Sequence, residues 1–217
     1  MLEYFSQEGM LFPTPIWRVK ISGVNNKEIK DYCKKIQSKS PGVQRSNIGG
    51  WHSHPYEITK PYPDSFKELM NDTTEFVNGY CSQITGITNL ILGNYWFNVN
   101  PKNTYNQVHD HAGCLLSAVY YVHAEGDDIG NLEIHRGDAG EFFINSCRAD
   151  LEMVEKEFTG VNFITKPETG MMYIIPSWIK HSVGINRTDT DRISIAMNFG
   201  VKKSELSKDR IEEYYKK

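Results

Sequence analysis

The 217-residue chain carries 24 basic and 27 acidic residues, a formal charge of −3 at neutral pH, so it presents no basic field for a nucleic-acid backbone. Its 39% hydrophobic and 24% charged residues are an ordinary globular balance that argues against disorder. Cys33, Cys81, Cys114 and Cys147 form no C-x-x-C pair, which disfavours a zinc ribbon or a disulfide framework and makes a reducing cytoplasm the default.

No repeat, low-complexity tract or linker interrupts the sequence, and its length suits one core, so a single domain over 1–217 is expected. Nothing resembles a secretion signal at the N-terminus, and no apolar stretch approaches the roughly 20 residues of a bilayer span. A helical preface is expected over about 20–90. Its first helix covers 25–38, short, charged and amphipathic. A second begins at Ser65, where Ser65-Phe66-Lys67-Glu68 fits a capping box; Phe66, Leu69, Met70, Phe76, Val77 and Tyr80 then recur at helical spacing.

From Leu92 the texture changes to short β-like runs separated by turns. Strands are predicted over 94–100, 107–111, 114–122, 131–135, 161–165, 171–175, 181–186 and 192–199, with turns such as Gly126-Asp127-Asp128 and Arg136-Gly137-Asp138 between them. Eight short strands after a helical preface point to a mainly β fold, a jelly roll buttressed by helices, with its core over about 92–200. The tail, 204–217, reads as a terminal amphipathic helix.

Chemistry concentrates in the seven histidines. On a strand, His109 and His111 of Val108-His109-Asp110-His111 share a face and Asp110 takes the other. Two imidazoles aimed at one spot are half of a metal site, and His181, delivered at a strand start by the Pro176 turn, is the leading third ligand. Imidazole suits iron, copper, zinc and nickel, so ligand type alone does not select the metal. Trp51-His52-Ser53-His54-Pro55 is a second H-x-H, but Gly49-Gly50 and Pro55 bracket it, so it reads as a loop near the substrate side. His123 and His135 read as structural. Arg192 follows His181 by 11 residues, a natural return distance for the next antiparallel strand, and shares a face with Ser194. A guanidinium beside a hydroxyl is suited to a carboxylate. The plainer partner for Arg192 is a buried Asp or Glu; beside three histidines, a carboxylate cosubstrate is the better match.

These motifs resemble the Fe(II)/2-oxoglutarate-dependent dioxygenases, and within them the prolyl-4-hydroxylase-like group of bacterial and phage oxygenases. The resemblance rests on Trp96-Phe97-Asn98-Val99-Asn100, His109-Asp110-His111-Ala112-Gly113, Leu116-Ser117-Ala118-Val119-Tyr120-Tyr121-Val122, Pro176-Ser177-Trp178-Ile179-Lys180-His181 and Arg192-Ile193-Ser194-Ile195-Ala196-Met197-Asn198-Phe199, with Gly50-Trp51-His52-Ser53 upstream. It implies a double-stranded β-helix and an Fe(II) centre using O2 and 2-oxoglutarate to hydroxylate a C–H bond, with release of succinate and carbon dioxide. It further implies His109, His111 and His181 as iron ligands, Arg192 and Ser194 on the distal carboxylate of 2-oxoglutarate, Tyr121 as an added phenolic donor, and Asn98 near the other end of that cosubstrate. The sequence departs from the superfamily's usual H-x-D/E at His111; a ligating Asp110 is the alternative, and needs a bulge. A small-molecule or peptide substrate is expected, with no membrane or nucleic-acid partner, and a homodimer is compatible. Trp51, His52, His54 and the segment 138–159 are expected to border the substrate mouth. The rival reading is a cupin-type three-histidine metalloprotein working without 2-oxoglutarate. Gly170, Pro176 and His181 fit its second motif, whereas Arg192 and Ser194 have no role in it.

Overall fold

The computed structural model describes residues 14–137 and 162–201. Eleven strands lie among them: β1 (Trp17–Lys20), β2 (Asn47–Ile48), β3 (Trp51–His52), β4 (Ile91–Asn100), β5 (Tyr105–His109), β6 (Leu116–His123), β7 (Leu132–His135), β8 (Asn162–Thr165), β9 (Met171–Pro176), β10 (His181–Val183) and β11 (Arg192–Gly200). They form two antiparallel sheets, ordered β1-β9-β6-β11-β4-β3 and β2-β5-β10-β7-β8. The eight predicted strands are β4 to β11, each within a few residues of its predicted bounds; β1, β2 and β3 are additional.

The middle strands of the larger sheet, β9, β6 and β11, are buried on both faces, which is why they read as nearly continuous apolar runs. Alternation assigns each side chain to one face. Along β11, Ile193, Ile195, Met197 and Phe199 join Phe97, Val99, Tyr120, Met172 and Ile174 in a core that also takes in Ile29, Cys33, Phe66 and Leu69 from the helices. The intervening Arg192, Ser194 and Ala196 instead line a cavity on the other side, with Trp96, Asn98, Tyr121, Tyr173 and Ile175. One helix-facing core thus holds the sheet rigid while its opposite face builds a site.

Helix α1 (Asn26–Gln37) is capped by Asn25, whose side chain accepts from Glu28 N, satisfying one of the free N–H groups of the first turn. Its Lys34 pairs with Asp191 at 2.6 Å, tying the helix to the residue before β11. Helix α2 (Asp64–Phe76) corrects the expected capping box. The N-cap is Pro63, with no side-chain cap, and Ser65 lies inside the first turn; the Pro63 carbonyl already accepts from Phe66 N and Lys67 N at 3.1 Å.

The apolar stripe of α2 is also corrected at its end. Phe66, Leu69, Met70 and Val77 are buried, but Tyr80 is 62% exposed and Cys81 takes its place inside. The cause is a wider turn, a π-helical segment Val77–Cys81, which shifts the register by one residue. The Asn78 side chain clamps this turn to the approach of β4, donating to Leu90 O and accepting from Leu90 N, both at 2.8 Å. A short α3 (Ser82–Thr85) follows. The expected C-terminal helix, 204–217, and the whole segment 138–159 lie outside the described residues. No helix of the described residues is long and apolar enough to cross a membrane.

Candidate functional site

Two strands of the smaller sheet bring the first imidazoles together. β5 ends on His109 and β10 begins on His181, and the two residues are antiparallel partners with ring centroids 4.3 Å apart. His111 joins them differently from the expectation. β5 stops at His109, so His111 is not on a strand; its backbone N–H donates to Ser177 O at 2.9 Å, and that bond turns the ring back to the cluster. The His111 ring lies 5.2 Å from His109 and 5.0 Å from His181. One nitrogen from each of the three falls within 4.8 Å of the others. Asp110 is exposed and outside this group, although β5 ends before it and strand alternation is not what separates it.

Hydrogen bonds set the same tautomer in all three rings. His109 Nδ1 meets Gln107 O at 2.7 Å, His181 Nδ1 meets Ile179 O at 3.0 Å, and His111 Nδ1 meets Asn198 Oδ1 at 2.7 Å. Carbonyl oxygens only accept, so each Nδ1 carries the proton and each Nε2 keeps its lone pair. Burial holds all three pKa values below the ordinary histidine range, that of His181 down to about 3, with His109 beside it adding repulsion. Three neutral imidazoles with converging lone pairs are the protonation state a metal ion needs. His111 Nε2 is buried and has no partner within the protein, whereas His109 Nε2 lies 3.4 Å from Ser46 Oγ.

The same cavity, open to solvent, holds a buried cation. Arg192 is 1% exposed. Its Nη1 donates to Ile129 O (2.7 Å), Gly130 O (3.3 Å) and Gly184 O (3.0 Å), while Nη2 is buried without a partner. Burial lowers its pKa to about 10, so it remains cationic at neutral pH. No Asp or Glu is buried among the described residues, which removes the structural ion pair as an explanation for it. Gly130 has φ +85°, and a Cβ there would collide with Gly184 O and Arg192 Nη1; glycine lets the carbonyl clamp close.

Register adds three polar residues beside Arg192. Ser194 sits opposite Asn98 on β4 and opposite Tyr121 on β6, so all three reach the cavity beside Arg192. Tyr121 OH and Asn98 Oδ1 are likewise buried and unpartnered. Burial pushes the Tyr121 phenol further above its ordinary pKa, so it stays a donor. Every site residue expected from sequence lines this one cavity: His109, His111, His181, Arg192, Ser194, Tyr121 and Asn98.

The other histidines lie outside the cluster. His52 corrects the loop expectation: it is on β3, buried, and stacked on Trp96 at 5.2 Å and 13°; Trp96 in turn lies 5.4 Å from His111. His54 opens a single helical turn, its backbone N–H donating to Glu57 Oε2 at 2.8 Å. His123 lies 3.4 Å from Glu125, and His135 Nε2 is 2.9 Å from Ser182 Oγ. Cys33, Cys81 and Cys114 are free thiols outside the histidine group. Sequence reasoning missed Asn198, Ser117 and Gly130. Asn198 was within its reach, since the period of two that pairs Arg192 with Ser194 continues through Ala196 to Asn198.

A family model described as "Putative 2OG-Fe(II) oxygenase" matches residues 94–198, the span from β4 to the end of β11. No curated protein matches the sequence. Solved structures match over most of the chain at low identity. A prolyl-4-hydroxylase from Pseudomonas putida aligns with a TM-score of 0.61 and 13% identity over 86% of this chain and 92% of its own. The viral collagen prolyl hydroxylase of Paramecium Bursaria Chlorella virus-1, solved as a 2-oxoglutarate complex, gives 0.56 and 11% over 86% and 96%. HygX from Streptomyces hygroscopicus, solved with nickel and 2-oxoglutarate, gives 0.55 and 12% over 88% and 84%. The two sheets are therefore the jelly-roll double-stranded β-helix expected from the sequence.

Proposed function

We propose that the chain, whose residues 94–198 match the 2OG-Fe(II) oxygenase family model, is an Fe(II)- and 2-oxoglutarate-dependent dioxygenase. It hydroxylates a C–H bond of a peptide side chain or small molecule and releases succinate and carbon dioxide. The observation that carries this reading is the set of unsatisfied buried atoms in one cavity: His111 Nε2, Arg192 Nη2 and Tyr121 OH. Each buried polar group without a partner costs about 1–3 kcal/mol, more when charged. A metal ion satisfies the first, and a dicarboxylate satisfies the cation and the phenol.

His109, His111 and His181 would hold the metal through Nε2, with Asp110 taking no part. Arg192 and Tyr121 would donate to the distal carboxylate, with Ser194 as a third donor between them, and Asn98 would face the other end of the cosubstrate. When bound, iron and 2-oxoglutarate supply the oxygen-activating chemistry that side chains lack. The protein's part is to keep the imidazoles neutral, aim the guanidinium by its carbonyl clamp, and exclude water with Tyr173, Ile175, Leu132 and Val183, which line the same cavity. A three-histidine metalloprotein without 2-oxoglutarate leaves the buried Arg192 cation unexplained, so the cosubstrate reading is favoured over the cupin one.

The test is anaerobic addition of Fe(II) and 2-oxoglutarate to the metal-free protein. A visible charge-transfer band is expected, absent from Arg192→Met at low cosubstrate. No band from the folded wild-type protein at saturating cosubstrate overturns the proposal.

A further inference from the structure

His109 and His181 take their Nδ1–H acceptors from backbone carbonyls two residues earlier, Gln107 and Ile179. His111 does not. Its acceptor is a side chain 87 residues away: Asn198 Oδ1, at 2.7 Å. The same oxygen accepts from Ser117 Oγ, also at 2.7 Å, and Ser117 Oγ itself lies 2.9 Å from His111 Nδ1. Ser117 and Asn198 are register partners on β6 and β11, and both are buried. The pairing of β11 with β4 shifts between Met197 and Phe199, leaving Asn198 at an irregularity next to the histidines.

An amide oxygen has two lone pairs, and here two donors claim them. The serine hydroxyl points at the oxygen and so holds the amide with Oδ1 toward the imidazole. We propose that Asn198, locked by Ser117, is a positioning residue that sets the tautomer and aim of His111 as a metal ligand. This rests on the reading of His109, His111 and His181 as the metal-binding set. It also explains how the chain departs from the usual H-x-D/E pattern. A ligating imidazole must place its second N–H on an acceptor, and a sheet register 87 residues downstream supplies one. The period-two row Arg192, Ser194, Asn198 then spans the whole site, from the carboxylate anchor at one end to the third ligand at the other.

The test uses metal-free protein with nitrogen-15-labelled histidine, and Co(II) alone as the metal probe. In the wild type, the His111 ring is expected in the Nδ1–H tautomer before any metal is added. Asn198→Ala should release that tautomer and weaken Co(II) binding about 10- to 100-fold, the usual loss for a partner of a ligating histidine. Asn198→Asp keeps an acceptor and should restore both the tautomer and an affinity within about threefold of wild type. Ser117→Ala should keep the tautomer and lose less than about tenfold. The inference is overturned if folded Asn198→Ala keeps both the tautomer and the affinity, or if folded Asn198→Asp is as weak as Asn198→Ala. Should Asn198→Ala fail to fold, a folded Asn198→Asp that loses the tautomer or binds Co(II) more than about tenfold more weakly than wild type overturns it. Wild-type protein that does not bind Co(II) refutes the ligand set instead, and the metal-free tautomer still decides the role of Asn198.

Discussion

Replacing Arg192 by Met removes the cation while keeping most of the side-chain volume, and its effect on 2-oxoglutarate binding can be worked from the site. In the protein alone, Nη1 is saturated by three carbonyls and Nη2 has no partner, so Nη2 is the donor left for a carboxylate. Removing one partner of a buried, hydrogen-bonded charge pair costs about 2–5 kcal/mol. Tyr121 OH remains as a second donor, which places the loss in the lower part of that range, about 3 kcal/mol, or roughly 100-fold in affinity. The assay is thermal unfolding of Ni(II)-loaded protein with and without 2-oxoglutarate. At about 100 times its dissociation constant, the cosubstrate should stabilise the wild type by about 2.7 kcal/mol, whereas a variant weakened 100-fold gains only about 0.4 kcal/mol at the same concentration. Comparing increments removes any change in the baseline stability of the variant. Equal increments in the two proteins would refute the assignment of Arg192 as the carboxylate anchor.

Three further outcomes are expected. Gly130→Ala forces a Cβ against Gly184 O and Arg192 Nη1, so 2-oxoglutarate affinity should drop about tenfold or more while Co(II) binding by the histidines stays intact; titration calorimetry with each ligand separates the two. His111→Ala should lower bound iron about tenfold or more, and Asp110→Ala should leave it within about twofold, as read by metal analysis after dialysis; the reverse result returns the carboxylate ligand to consideration. The Arg192 guanidinium titrates at about 10 and burial pushes the Tyr121 phenol higher than usual, so both donors keep their protons through about pH 9. At saturating metal, 2-oxoglutarate affinity should therefore hold between about pH 7 and 9 and fall as pH passes through about 10; a fall already complete near pH 8 contradicts an arginine anchor.

Alternation was the part of the site most legible in the sequence. It grouped Arg192 with Ser194, because a strand buried on both faces obeys the period of two whatever its hydrophobicity, whereas His111 reaches the cluster from beyond the end of β5. The same period continues past Ala196 to Asn198. What the sequence hid were features made by distant backbone. The carbonyls of Ile129, Gly130 and Gly184 that clamp Arg192 carry no residue signature beyond two glycines, and the His111–Ser177 bond that turns the third histidine inward is equally silent. Strands β2 and β3 escaped because runs of two residues are too short to establish a period. The widened turn Val77–Cys81 escaped for a related reason: the helical stripe through Phe66 and Leu69 is real, and nothing in its composition announces the one-residue slip that exposes Tyr80.

On the proposed function, one cavity couples a three-histidine metal site to a carboxylate anchor in order to spend 2-oxoglutarate. The most direct measurement is succinate formed from 2-oxoglutarate in air by the Fe(II)-loaded protein, without added substrate, beside His181→Ala and Arg192→Met. Succinate above the metal-free control, lost in the histidine variant and restored in the arginine variant only at roughly 100-fold higher cosubstrate, is the expected result. Oxygen consumption that proceeds without 2-oxoglutarate, or folded wild-type protein that forms no succinate, contradicts it.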